Sequence, residues 1–198
     1  AHLSYTYGLN GFILPQQLPY LVDQIDASVI LQEAQTARNY GAEFIIVSLQ
    51  WGNEYQALPS EEQEDLANEL LNDPDIDLIV GSHVHVIQPI DTINQKPVIY
   101  GLGNFLSNQS ANCCPAETQN GVIVFVEIAG VKGEIHQVRD ISITPTRVDR
   151  SDFTIIPLPL ELRNEEISAY IRNLYQAAIN ETESVINMFS DSYLIRDE

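Results

Sequence analysis

The sequence predicts an α/β fold on three observations. In the first half of the chain, apolar runs of strand length alternate with segments of helical periodicity. Short connections join them in the order β-α-β-α-β, which argues for a parallel sheet. After Gly121 the pattern changes to longer alternating runs with turn residues between them, the pattern of antiparallel pairing. With 198 residues, 44% of them hydrophobic, the chain can bury a sizeable core.

Taken in order, residues 3–7 alternate apolar and polar side chains and read as a strand, and residues 8–11 as a turn. Residues 16–26, with Pro15 and Pro19 about their start and little periodicity, read as a loop. Residues 27–40 place Val29, Ile30, Ala34, Ala37 and Tyr40 at helical spacing, with Gly41 set to cap the end. Residues 43–49 form a near-continuous apolar run, as in a strand covered on both faces. Ser60 and Gln63 make a capping box, and the helix after it carries Leu66, Ala67, Leu70 and Leu71 on one face until residues 72–75 break it. Residues 76–80 are the next buried strand and 98–100 a third, short one. Beyond Gly121, strands are expected at 122–128, 134–143 and 147–157, with turns at 130–133 and 144–146. Residues 162–189 return to helical spacing.

Charge narrows the set of partners. Asp and Glu number 28 against 9 Lys and Arg, a formal net charge of −19. Such a surface repels a phosphate backbone, which excludes nucleic acid, and it disfavours a direct hold on anionic lipid. Divalent cations suit it better, and solubility is the plainer account of the charge. No stretch approaches the length of a membrane span and no signal peptide is visible in residues 1–198, so any membrane attachment is expected through a segment outside this chain. Cys113 and Cys114 are adjacent, a spacing suited neither to a zinc site nor to a thioredoxin-like pair. A strained vicinal disulfide, two free thiols and pairing with a cysteine elsewhere are all open.

Three segments carry chemistry, and each follows a predicted buried strand, where ligands collect in an open α/β sheet. In Gly81-Ser82-His83-Val84-His85, two imidazoles two residues apart can face one metal ion while Val84 points away. The bland account is a pair of hydrogen-bonded loop histidines. In Gln50-Trp51-Gly52-Asn53-Glu54-Tyr55, Glu54 can act as ligand or general base and Trp51 can wall a pocket; against that stand a core Trp51 and a solvated Glu54. In Tyr100-Gly101-Leu102-Gly103-Asn104-Phe105, the glycines allow tight backbone geometry and Asn104 offers an amide; against that stands a plain turn. All three are expected on a single rim.

These segments resemble the CapA family of bacterial capsule synthesis proteins. Residues 46–55 are similar to the family segment with a His-Trp-Gly-x-Glu core, and Pro59, Ser60 and Gln63 continue the likeness. Residues 77–86, with Gln88 and Pro89, resemble its Gly-His-His-x-His-Val segment. Residues 100–105 resemble Tyr-Ser-Leu-Gly-Asn-Phe, and Tyr5, Thr6, Asn10 and Gly11 an upstream element. The likeness runs from about Leu3 to about Ile128 and does not place the tail from about Arg147.

The resemblance implies a metallophosphatase-like sandwich of two sheets flanked by helices. Residues 1–160 would be the C-terminal part of that domain and residues 161–198 a helical segment. It implies a role in making or anchoring poly-γ-glutamate capsule at the outer face of the bacterial membrane or in the cell wall, beside membrane proteins of capsule synthesis. Carried onto this chain, the site is Glu54 and Asn104 as catalytic groups, Gln50, Trp51 and Gly103 as substrate contacts, and His83 and His85 as ligands of manganese, zinc or iron. Gln50 stands where the family has histidine, Ser82 replaces the first histidine of Gly-His-His, and a Gly-Asp segment that opens the family sequence is not in this chain. The metal site is therefore expected to be incomplete, and catalysis is left undecided. Three functions follow: a capsule-assembly component that binds and positions, a metal-dependent hydrolase of phosphoester or amide bonds, and a structural domain with no small-molecule site.

Overall fold

The computed structural model describes residues 1–110, 112–189 and 193–196. Its elements are β1 (His2–Thr6), α1 (Ala27–Asn39), β2 (Ile46–Gln50), α2 (Glu61–Asn72), β3 (Leu78–Ser82), β4 (Ile90–Ile93), β5 (Lys96–Ile99), β6 (Asn120–Ala129), β7 (Gln137–Asp149), β8 (Thr154–Pro157), α3 (Leu158–Glu161), α4 (Ala169–Ile186) and β9 (Leu194–Ile195). The first sheet has the order β1-β2-β3-β5-β4, parallel except for β4. The second runs β6-β7-β8 antiparallel, with β9 parallel to β7.

Apolar surface dictates the layering. Ile30 and Ala34 of α1 and Ala67, Leu70 and Leu71 of α2 bury against Tyr5, Val47, Leu49 and Ile79 on one face of the first sheet. The opposite face meets the second sheet through Leu78 and Ile99 against Val122, Ile141 and Ile143. Two facing sheets with helices outside is the arrangement that the resemblance implies. A third cluster joins α3 and α4 to the second sheet: Leu158, Tyr175, Ala178 and Ile179 with Ile156 and Ile195. Among the described residues no helix is long and apolar enough to cross a membrane.

The helix ends follow from local chemistry. The Asp26 carboxylate accepts the backbone N–H groups of Ser28 and Val29 at the start of α1. At its end Gly41 takes φ +93, and its N–H reaches the Arg38 carbonyl at 2.8 Å. Both halves of the Ser60–Gln63 capping box form at α2. The strand expected at 76–80 begins at Leu78 and runs on to Ser82, so Gly81 and Ser82 lie inside β3.

The structure differs from the sequence reading in three places. The hairpin β4–β5 turns on Asn94 and Gln95 at φ 52 and 66, a two-residue turn usually marked by Asn-Gly, and β4 is not foreseen. No turn occurs at 144–146, because β7 runs through Pro145. Pro145 pairs with Val122, whose N–H turns away to the Leu102 carbonyl at 3.0 Å. That pair asks position 145 for no donor toward β6, so proline is tolerated. The chain turns instead after Asp149, where Asp149 and Asp152 accept the backbone N–H groups of Ser151 and Thr154. Helix α4 starts only at Ala169, with Ser168 capping the Ile171 N–H at 3.2 Å. Residues 190–192 and 197–198 of the expected helical tail lie outside the described residues. Of the three states open for the cysteines, the structure has Cys113 and Cys114 bonded to each other.

Candidate functional site

The parallel strands end together, with Thr6, Gln50 and Ser82 side by side in register. The loops that follow are brought close by two glycines. A Cβ on Gly81 would sit 1.9 Å from the Tyr100 carbonyl oxygen and 2.3 Å from Trp51 Nε1, so only glycine fits. Gly103 has φ +68, and a Cβ there would stand 2.7 Å from the Asn120 carbonyl oxygen. It has no side chain to offer a substrate; it lets the loop after β5 bridge to Gly121 of β6. Trp51 does not wall an open pocket. It is 3% exposed, stacks on Tyr100 with centroids 5.7 Å apart, and donates its indole N–H to the Tyr100 carbonyl at 2.9 Å. It holds the rim up from beneath.

His83 and His85 meet above this floor, ring centroids 6.3 Å apart, with Val84 buried between them. Both take positive φ, 103 and 64, as does Tyr55 at 67, a conformation that non-glycine residues adopt at a cost. The Val84 carbonyl accepts the Tyr55 N–H at 2.7 Å and so ties two of the three loops together. Tyr7 lies 4.5 Å from the His83 ring and Tyr55 6.0 Å from the His85 ring, centroid to centroid.

Asn104 fixes the state of His85. Its Nδ2 donates to the Thr118 carbonyl at 2.9 Å and to Gln109 Oε1 at 3.0 Å. A carbonyl can only accept, so the amide is oriented and Oδ1 is the atom 2.9 Å from His85 Nδ1. His85 Nδ1 must then carry a hydrogen, and in the neutral ring Nε2 is the acceptor. Asn104 is thus a positioning residue, its polar atoms committed to holding His85. Burial holds His83 below its ordinary pKa, opposed by the Glu54 charge and aided by His85. Glu54 itself is exposed, within electrostatic reach of His83 and of the Tyr55 hydroxyl. Gln50 lines a polar cleft of about 370 Å³ with Thr6, Ser48 and Ser82, the residue before His83.

The rim thus brings together His83, His85, Asn104 and Glu54, with Gln50 at its side. Two imidazoles are a poor cage for a divalent ion, which wants three or four ligands. Among the described residues no group of three or more His, Cys, Asp or Glu side chains could hold a metal ion. The residues present do not fit a closed metal site. Tyr7 and Gln109 are parts of the rim that the sequence reading missed. Tyr7 adjoins the quoted Tyr5-Thr6 element, whereas nothing local marks Gln109.

The sequence profile described as "Bacterial capsule synthesis protein PGA_cap" matches residues 3–109, which contain all three rim loops. The capsule biosynthesis protein CapA of Bacillus anthracis is 38% identical over 79 residues, 40% of this chain and 19% of that protein. The PGA biosynthesis protein CapA of Bacillus subtilis (strain 168) is 32% identical over 100 residues, 50% of this chain and 26% of that protein. The chain therefore spans about a fifth to a quarter of the length of these relatives. The NAD nucleotidase of Haemophilus influenzae aligns over 89% of this chain and 32% of its own, at 14% identity and a TM-score of 0.36. A match over more than half of the chain places it: the chain belongs to the bacterial capsule synthesis protein family PGA_cap.

Proposed function

We propose that this chain serves capsule synthesis at the bacterial cell envelope by binding and positioning, with the histidine rim as its point of contact. Family membership supports the process, and the His85–Asn104 pair supports the place. An amide that commits three hydrogen bonds to the setting of one imidazole is a preorganised contact, which loop packing alone does not require. The site residues are His83 and His85 as contacts, Asn104 as positioner, and Glu54 and Gln50 at the edge. Poly-γ-glutamate is itself a polyanion, so a chain of net charge −19 would hold it through bridging cations or hold a membrane protein of the same assembly instead. The outer face of the membrane or the cell wall is the matching location.

The test is complementation of a capsule-negative strain with the whole protein that carries this chain. Asn104→Ala and His85→Ala are each expected to lower cell-bound polymer roughly tenfold at unchanged protein level, the scale of the roughly 1–3 kcal/mol lost when one partner of a hydrogen bond is removed. Full capsule in both variants would overturn the rim. Titration calorimetry with manganese and zinc is expected to show weak binding or none. Submicromolar, stoichiometric binding that His83→Ala abolishes would replace the positioning role by metal-dependent hydrolysis.

A further inference from the structure

A second cavity adjoins the histidine loop. A cavity of about 310 Å³ opens between α4, the start of β6 and the loops that follow β2 and β3. That volume suits a small organic ligand. Val86, Ile87 and Val185 give it apolar walls, while Asn120, Glu117 and Glu181 supply its polar groups.

Asn120 is the informative residue. It is 5% exposed, and Arg147 donates to its Oδ1 through Nη1 at 2.6 Å, with Nη2 going to Gln119 Oε1 at 3.0 Å. Arginine has no acceptor, so the amide oxygen must face Arg147 and the NH₂ must point elsewhere. Nδ2 has no hydrogen-bond partner among the described residues, yet it is not one of the enclosed unpartnered atoms, which are Arg38 Nε, His136 Nε2 and Thr146 Oγ1. The cavity that Asn120 lines is the space it can open to. It is a donor, polarised by a guanidinium, waiting for an acceptor.

The carboxylates supply the opposite need. Neither Glu117 nor Glu181 accepts a hydrogen bond through its side chain or forms an ion pair within 4.0 Å among the described residues. Both border the same cavity as Asn120, in a chain of strongly negative charge. Two acceptor-only anions, one fixed donor and an aliphatic wall describe a ligand with a cationic amine, a carbonyl oxygen and an apolar body.

We propose that this cavity binds the amino end of an aminoacyl compound. The ammonium lies by Glu117 and Glu181, the carbonyl oxygen accepts from Asn120 Nδ2, and an aliphatic side chain rests on Val86, Ile87 and Val185. The site does not depend on the histidine rim. Tyr55 borders both, lining this cavity and stacking on His85.

Calorimetry at low salt with leucinamide, N-acetyl-leucinamide and isoamylamine tests it. Leucinamide has all three features, the second lacks the charge, and the third lacks the carbonyl. Leucinamide is expected to bind at least tenfold more tightly than either. The Glu117→Gln, Glu181→Gln pair is expected to weaken it at least tenfold, whereas Glu165→Gln with Glu166→Gln, of the same change in net charge, leaves it unaltered. These are exposed positions, so each variant is expected to fold. No binding of leucinamide, equal binding of the three compounds, or equal loss in both double variants would overturn the site; the last would assign the attraction to the overall charge. Capsule complementation reads the rim and not this cavity, so the two proposals fail separately.

Discussion

At the scale of single residues, the rim rests on positions where the backbone leaves no room for choice. Gly81 is the sharpest of them. The atom its Cβ would meet is a backbone oxygen, which cannot swing aside as a flexible side chain could. Gly81→Ala should therefore cost about 3–5 kcal/mol, the upper range for single substitutions, or prevent folding altogether. Urea denaturation at neutral pH measures it, and a loss under 1 kcal/mol would mean that β3 and β5 can separate there. At this scale much was legible in the sequence. Glycine, histidine and asparagine near the strand ends are local signals, and the side chains of His83, His85 and Asn104 do converge. The roles were harder to read. Trp51 is equally suited to a pocket wall or a core, and only the partner of its indole N–H, the Tyr100 carbonyl, decides for the core. Asn104 likewise offers chemistry in sequence, but its three bonds reach residues 85, 109 and 118, which no local pattern connects.

At the scale of elements, the parallel sheet was legible and the second sheet was less so. Helical spacing, the capping box and the apolar runs are short-range properties that tertiary contacts merely confirm. Pro145 inside β7 and the Asn94-Gln95 hairpin break the usual residue preferences, because the ladder around them tolerates what an isolated segment would not. One tertiary clamp joins the elements of the first sheet. Arg38, at the end of α1, pairs with Asp77 before β3 and donates to the Ala42 carbonyl at 2.9 Å, while Asp77 also accepts the Ile45 N–H ahead of β2 at 2.6 Å. The side chains of the pair are 9% and 8% exposed. Removing one partner strands the other, so Arg38→Ala is expected to cost about 3–5 kcal/mol in chemical denaturation. The double change Arg38→Met with Asp77→Leu should cost clearly less, since no buried charge is then left behind. Equal losses would show that the attraction between the charges, and not the stranding, sets the energy.

At the scale of the whole molecule, charge is the dominant unbalanced term. With 28 carboxylates against 9 lysine and arginine side chains, one-to-one pairing leaves at least 19 acidic groups without a cationic partner. Ion pairs join Arg38 to Asp75 and Asp77 and Glu127 to Arg139 among the described residues, and His136 lies 3.6 Å from Glu43, an ion pair only when the imidazole is protonated. The remaining carboxylates repel one another, and folding brings them closer than they are in the open chain. Salt screens exposed charges beyond about 8 Å at physiological ionic strength, so it relieves repulsion across the surface more than it weakens the buried Arg38–Asp77 pair. The melting temperature is therefore expected to rise from low-salt buffer to moderate sodium chloride. Calcium or magnesium should raise it at much lower concentration, because a divalent ion can sit between two carboxylates that a sodium ion only screens. Since the rim supplies imidazoles rather than a cage of oxygen ligands, that stabilisation should survive His83→Ala with His85→Ala. A melting series in which calcium protects the wild type and not this double variant would move the cation to the rim. It would also show that Glu54 and the histidines act together as a metal site after all.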